Sequence, residues 1–158
     1  VSGLQSAPAP TPTPTGRDLP PSLRAACRAT RGLDVLLVED SPLLAERLRE
    51  ALGALPEIRD VRVVDREVAA VESLDCCDVV VLDLHLKQGT GFGVLRALAA
   101  QREPPPVVVV FTNHDVPGYR ARAAMLGARH FLDKARDFER LQELLRELHA
   151  SFFAPARA

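Results

Sequence analysis

The chain has 158 residues, room for one ordinary domain, and 47% of them are hydrophobic while only 4% are aromatic, with no Trp. Its core must therefore be mainly Val, Leu and Ala, which suits an α/β layer structure and not an aromatic platform for stacking bases. The 20 Lys and Arg nearly balance the 21 Asp and Glu, a formal net charge of -1, so no global field argues for nucleic acid. No run approaches the roughly 20 apolar residues of a membrane span, and the amino terminus lacks a basic region followed by an apolar one, so a soluble, cytoplasmic protein without membrane attachment is expected. Three cysteines, Cys27, Cys76 and Cys77, make an odd count without ligand-like spacing and read as reduced thiols.

Residues 1–30 begin with Pro alternating with Ala and Thr, a composition that cannot sustain a helix ladder or bury a core, and are read as a largely disordered extension with at most a short helix over 23–29. The ordered domain is expected over 31–150, followed by a tail over 151–158. Leu33 to Glu39 reads as a buried strand. Ser41-Pro42 then offers an N-cap with Pro at the first helical position, and Leu43, Leu44, Leu48, Ala51 and Leu55 recur on one helical face. Residues 61–64 predict a second strand, 66–73 a short helix and 79–83 a third strand. Gly89 and Gly91 bound a loop before a helix over about 92–100, which the prolines at 104–106 separate from a fourth strand over 107–112. A helix over 117–126 closed by Gly127, a short strand over 130–133 and an amphipathic helix over 138–152 complete the chain. Five apolar strands alternating with five helices predict a parallel sheet covered on both faces, an α/β three-layer sandwich with right-handed crossovers.

The strand ends carry the chemistry. Asp83 ends the run Val79 to Leu82, Glu39 and Asp40 end the first strand, Thr112 ends the fourth, and Lys134 follows the fifth. In a parallel sheet all carboxyl ends lie on one edge, so three carboxylates, a hydroxyl and an ammonium would share one crevice able to bind a divalent metal and a phosphoryl group. Periodicity does not give the strand order; the acidic residues meeting at a switch point between the first and third strands suggest 2-1-3-4-5. Taken singly each residue has an ordinary reading as well: Asp83 or Asp40 as a helix cap, Lys134 as a solvated charge, Thr112 as a turn hydroxyl, Phe131 as static core. Asp133 and Asp137 read as a loop charge and the cap of the last helix.

With these residues in this order the chain resembles the receiver domain of bacterial two-component response regulators over about residues 32–150. The resemblance implies a (βα)5 doubly wound, flavodoxin-like fold. It also implies Asp83 as phosphoacceptor, Glu39 and Asp40 as a magnesium-binding pair, Thr112 as the switch hydroxyl, Lys134 as the phosphate-contacting lysine and Phe131 as the switch aromatic. Asp40, Asp83, the carbonyl of His85 and waters would make an oxygen site for magnesium, with manganese as a substitute and Glu39 mostly behind the direct ligands. As a similar stand-alone receiver, the protein would take a phosphoryl group from a sensor histidine kinase or histidine phosphotransferase. It would signal to an unidentified downstream protein through altered contacts, by self-catalysed phosphotransfer and slow autodephosphorylation and not as a conventional turnover enzyme. The first helix, around Leu43 to Leu55, is the expected docking face for the phosphodonor, and a homodimer through the fourth and fifth elements is compatible with the family.

Three positions depart from the family pattern. Lys87 stands four residues after Asp83 where Pro is common, Ala135 follows Lys134 where Pro is common, and Asn113 follows Thr112 where a small residue is usual. A trans Lys134-Ala135 bond is expected, because a cis bond without Pro costs about 2.5 to 4 kcal/mol. A subset of the family carries Phe-x-Asp-Lys, a small residue and then an acidic-aromatic pair, as Phe131 to Phe138 do here. His85 and His114 occupy positions that in this family influence the phosphoryl lifetime; they also read as surface histidines or as a metal pair. Two other functional readings stay open. One is a pseudo-receiver scaffold that never cycles phosphate, motivated by Lys87, Asn113 and Ala135. The other is a phosphatase-like enzyme with Asp83 as transient nucleophile and His85 as acid/base, for which this small fold offers no obvious cap or substrate pocket.

Overall fold

The computed structural model describes residues 32–101, 104–114 and 116–154. The expected extension, its short helix and Cys27 lie outside these residues, as does the end of the expected tail. The first strand, β1, spans Leu33–Val38, and α1 spans Pro42–Gly53. Strand β2 covers Ile58–Val64, and α2 covers Glu67–Ser73 with a 3-10 turn behind it at Leu74–Cys76. Then come β3, Val79–Leu82, α3, Gly91–Ala100, β4, Val107–Thr112, and α4, Pro117–Met125. Strand β5, His130–Asp133, and α5, Phe138–Phe153, end the fold.

All strand pairs are parallel, and the sheet order is β2-β1-β3-β4-β5, as expected. The side-chain period of two sorts the central strands into two cores. Leu36, Val38, Val80, Leu82, Val108 and Val110 face α2, α3 and α4, where Ala70, Phe92, Leu95, Leu98 and Ala123 meet them. Leu33, Val35, Leu37, Val79, Val81, Val109 and Phe111 face α1 and α5, against Leu48, Leu52, Leu141, Leu144 and Leu145. Each fully buried Val or Leu contributes about 1.5 to 3 kcal/mol, so residues that are buried on either face of a central strand hold both layers to one sheet.

Several local expectations are corrected. Strand β2 starts at Ile58, three residues before its expected start at 61, because pairing with β1 carries it outward. As an edge strand it keeps Arg59, Asp60 and Arg62 exposed, which weakened its apolar signal. On α1 the buried positions are Ala45, Leu48 and Leu52, while Leu43 is 65% exposed and Leu44 only packs at the margin of the core. The apolar face is therefore turned by one position relative to the expected one, and Leu55 reaches the core from beyond the helix end. Ser41 and Asp137 stand at the N-cap positions of α1 and α5 without capping through their side chains. The Ser41 N–H instead donates to Glu39 Oε1 at 3.0 Å, and Asp137 Oδ2 accepts from the Asp133 N–H at 2.8 Å.

Candidate functional site

The hydrogen-bond ladder of the sheet runs one step past the strand ends and fixes the backbone of three candidate residues. The Glu39 N–H donates to Val64 O at 3.0 Å, the Asp83 N–H to Val38 O at 3.0 Å and the Lys134 N–H to Thr112 O at 3.1 Å. Glu39 and Asp40 leave β1, Asp83 leaves β3, Thr112 ends β4, and Lys134 leaves β5, so five residues distant in the chain share one edge. The turn after Asp83 packs so tightly on α3 that a Cβ on Gly91 would lie 2.4 Å from the Asp83 carbonyl oxygen. Glycine is required there by backbone contact.

The side chains converge on Asp83. Thr112 Oγ1 donates to Asp83 Oδ1 at 2.9 Å, and the His85 N–H reaches the same oxygen at 3.2 Å. Lys134 Nζ donates to Asp83 Oδ2 at 2.6 Å and also pairs with Glu39 Oε2. Asp83 is 7% exposed, Glu39 3% and Thr112 not at all, so the carboxylates are held by donors in place of bulk water. Phe131 is half-buried against the α2/α3/α4 core.

Glu39, Asp40 and Asp83 each offer a carboxylate oxygen within 4.8 Å of the others. One ammonium faces three carboxylates, which leaves two formal negative charges in the crevice. An all-oxygen donor set with that deficit fits a hard divalent cation. Beside the acidic cluster, between α1 and β2, opens a crevice of about 450 Å³ lined by Asp40, Pro42, Glu46, Arg49, Val63 and Asp65 among others.

His85 and His114, two residues beyond Asp83 and Thr112 respectively, meet at the exposed edge of the site. Their rings stack with centroids 3.7 Å apart and planes 28° apart. Among the described residues no third metal-ligating side chain joins them in a group of three. The stack continues to Tyr119, 5.8 Å from the His85 ring, and Tyr119 meets Phe92 edge-on at 5.2 Å. Tyr119 was not a sequence candidate, since a lone aromatic on a helix carries no signal of its partners.

A family model described as the response regulator receiver domain matches residues 35–146. The chain belongs to the receiver family. It is 35% identical over 128 residues to protein-glutamate methylesterase/protein-glutamine glutaminase 5 of Myxococcus xanthus, a match covering 78% of this chain and 37% of that protein. The chain thus spans well under half the length of that relative. The activated, BeF3-bearing N-terminal receiver domain of Klebsiella pneumoniae RstA superposes with a TM-score of 0.64 at 27% identity, covering 73% of this chain and 97% of that one. The receiver domain of Francisella response regulator 1452 superposes with a TM-score of 0.68 at 19% identity, over 76% of this chain and 98% of the other, a likeness of fold. Receiver membership and the Glu39/Asp40/Asp83 cluster support signalling through a phosphoaccepting aspartate, an arrangement consistent with self-catalysed phosphotransfer. Among the described residues no helix is long and apolar enough to cross a membrane.

Proposed function

We propose that Asp83 is the phosphoacceptor of this receiver, with magnesium held by Asp40, Asp83 and the His85 carbonyl, and with a phosphohistidine on a histidine kinase or phosphotransferase as the donor. The single observation that carries the reading is the set of donors on Asp83: a hydroxyl and an N–H on one carboxylate oxygen, an ammonium on the other. In the transfer the donor's N–P bond breaks, its imidazole keeps the electron pair, and an O–P bond forms to Asp83. Adding phosphorus to either oxygen displaces a donor that is already in place. Thr112 or Lys134 then moves to a phosphoryl oxygen without a long search, and the charge of the incoming group is met by groups that were oriented beforehand. The bound cation supplies charge neutralisation for the carboxylates and the phosphoryl oxygens.

Movement of Thr112 toward the acylphosphate opens space beside Phe131, which makes that ring the element that carries the change to α4, β5 and α5. Leu43, exposed on α1 next to the acidic crevice, suits apolar contact with the donor protein. The test is an amide NMR titration of the protein with magnesium and then beryllofluoride, with Asp83→Asn as the control. The expected result is shifts that spread from Asp83 and Thr112 to Phe131 and α5 in wild type alone. No shift in wild type would refute the acceptor assignment and favour a scaffold that does not cycle phosphate.

A further inference from the structure

Glu67, the first residue of α2, puts its carboxylate into the loop between β3 and α3. Its Oε2 accepts from the Thr90 N–H at 2.7 Å, and its own N–H donates to Gln88 O at 3.1 Å. Two glycines make the space for it. A Cβ on Gly89 would lie 2.4 Å from the Glu67 Cβ and 2.5 Å from Oε2, and a Cβ on Gly93 would lie 2.0 Å from Oε1. Gly89 also holds φ at +81°, in the left-handed region that other residues avoid. A carboxylate seated between two glycines and bonded to a backbone N–H is a charge-assisted clasp, stronger than an ordinary loop contact.

The other side of the loop leads to the site. Thr90 forms an antiparallel bridge with His85, and the His85 N–H donates to Asp83 Oδ1 at 3.2 Å. The Gly91 N–H closes the same loop on Leu84 O at 3.1 Å. Thr90 and His85 are the opposed, non-hydrogen-bonded pair of this bridge, so the hold of Glu67 on Thr90 passes through the neighbouring Gly91 N–H to Leu84 O bond and the peptide links to His85, whose N–H meets the Asp83 carboxylate. Neither cation binding nor phosphoryl transfer as described above uses Glu67.

We infer that Glu67 is a positioning residue for the phosphoacceptor site: by clasping Thr90 it fixes the loop that donates to Asp83 and carries the His85 carbonyl, and so sets how well the site takes a divalent cation. The inference rests on Asp83 being the acceptor. Groups that orient a metal site from behind its ligands typically change affinity by about 10- to 100-fold when removed. A loop with Gly89 and Gly91 needs such an anchor, because glycine loses the most conformational freedom on ordering.

The test titrates magnesium alone into the full chain as wild type, Glu67→Ala, Glu67→Gln and Gly93→Ala, following the amides of Asp83 and His85 by NMR, and then adds beryllofluoride. Thermal midpoints are recorded alongside. Glu67→Ala is expected to weaken magnesium binding about tenfold. Gly93→Ala is expected to do the same, since its methyl group evicts the carboxylate while favouring the helix. Glu67→Gln keeps an oxygen for the Thr90 N–H but not its charge, and is expected to fall between wild type and Glu67→Ala. Wild-type affinity in folded Glu67→Ala and Gly93→Ala, with only their midpoints lowered, overturns the inference and leaves the acceptor assignment standing. A wild type that binds neither magnesium nor beryllofluoride at Asp83 overturns both.

Discussion

The Arg120 guanidinium on α4 lies over the ring of Phe131 on β5, with Cζ 4.4 Å from the ring centroid, and its Nη1 donates to the carbonyl oxygen of the same residue at 3.3 Å. One side chain therefore grips both the backbone and the ring of the residue expected to switch. A cation over an exposed aromatic face contributes about 0.5 to 1 kcal/mol, enough to bias a two-state rotamer without locking it.

Removing that grip frees Phe131 to turn. Arg120→Ala is expected to strengthen the response to beryllofluoride by about two- to fivefold, the population change that corresponds to about 0.5 to 1 kcal/mol. The measurement is a beryllofluoride titration followed on the Phe131 ring resonances, and an unaltered midpoint would show that the contact does not bias the switch.

In the proposed site Lys134 and the cation would share Asp83, which Lys134 holds together with Glu39. Lys134→Met is expected to bind magnesium more tightly than wild type while accepting the phosphoryl group more slowly, a split between affinity and rate that simple misfolding does not produce. Without magnesium the variant leaves Glu39 and Asp83 buried without their ammonium, a loss of about 3 to 5 kcal/mol. Its thermal midpoint should fall and recover as magnesium is added, more steeply than in wild type.

Gly91 and Gly53 should respond to alanine in opposite directions. At Gly91 the new Cβ meets the Asp83 carbonyl oxygen at 2.4 Å and the Leu84 Cα at 2.8 Å, both backbone atoms that cannot step aside. A loss of about 1 to 3 kcal/mol is expected, together with a blunted magnesium response. At Gly53 nothing lies within 4 Å, and alanine should add about 0.4 to 1 kcal/mol. Urea unfolding of the two variants gives both signs.

The two adjacent cysteines should differ in reactivity. Burial, with the Asp78 carboxylate nearby, pushes the Cys77 thiol up to about 12 from an ordinary value of 9.0, whereas Cys76 is partly exposed. Native protein at pH 8 is expected to be alkylated at Cys76 well before Cys77, as peptide mass mapping would show. Because the folded state retains the Cys77 proton longer, its contribution to stability is complete below pH 9.0 and is lost as pH rises toward about 12.

The amino-acid order alone determined the element series and the chemistry of the crevice. Runs such as Val79 to Leu82 and Val107 to Phe111 are apolar throughout because both faces of a central parallel strand are covered, and an acid, hydroxyl or ammonium at the end of such a run has one edge on which to emerge. Glu39, Asp40, Asp83, Thr112 and Lys134 could therefore be named together. The start of strand β2 is weak in the sequence because an edge strand carries polar residues on its open side, and the buried face of α1 is ambiguous there because Leu43 and Leu44 are equally apolar and differ only in rotation about the helix.

The tertiary structure alone decided who holds whom. That Lys134 bridges Glu39 and Asp83, that His85 stacks on His114, that Arg120 covers Phe131 and that Glu67 fits between Gly89 and Gly93 are contacts between separate elements. Their partners are set by sheet register and helix packing, which bring distant positions within a few ångströms. Local periodicity encodes which face a residue takes, but it contains no term for the side chain that will meet it there.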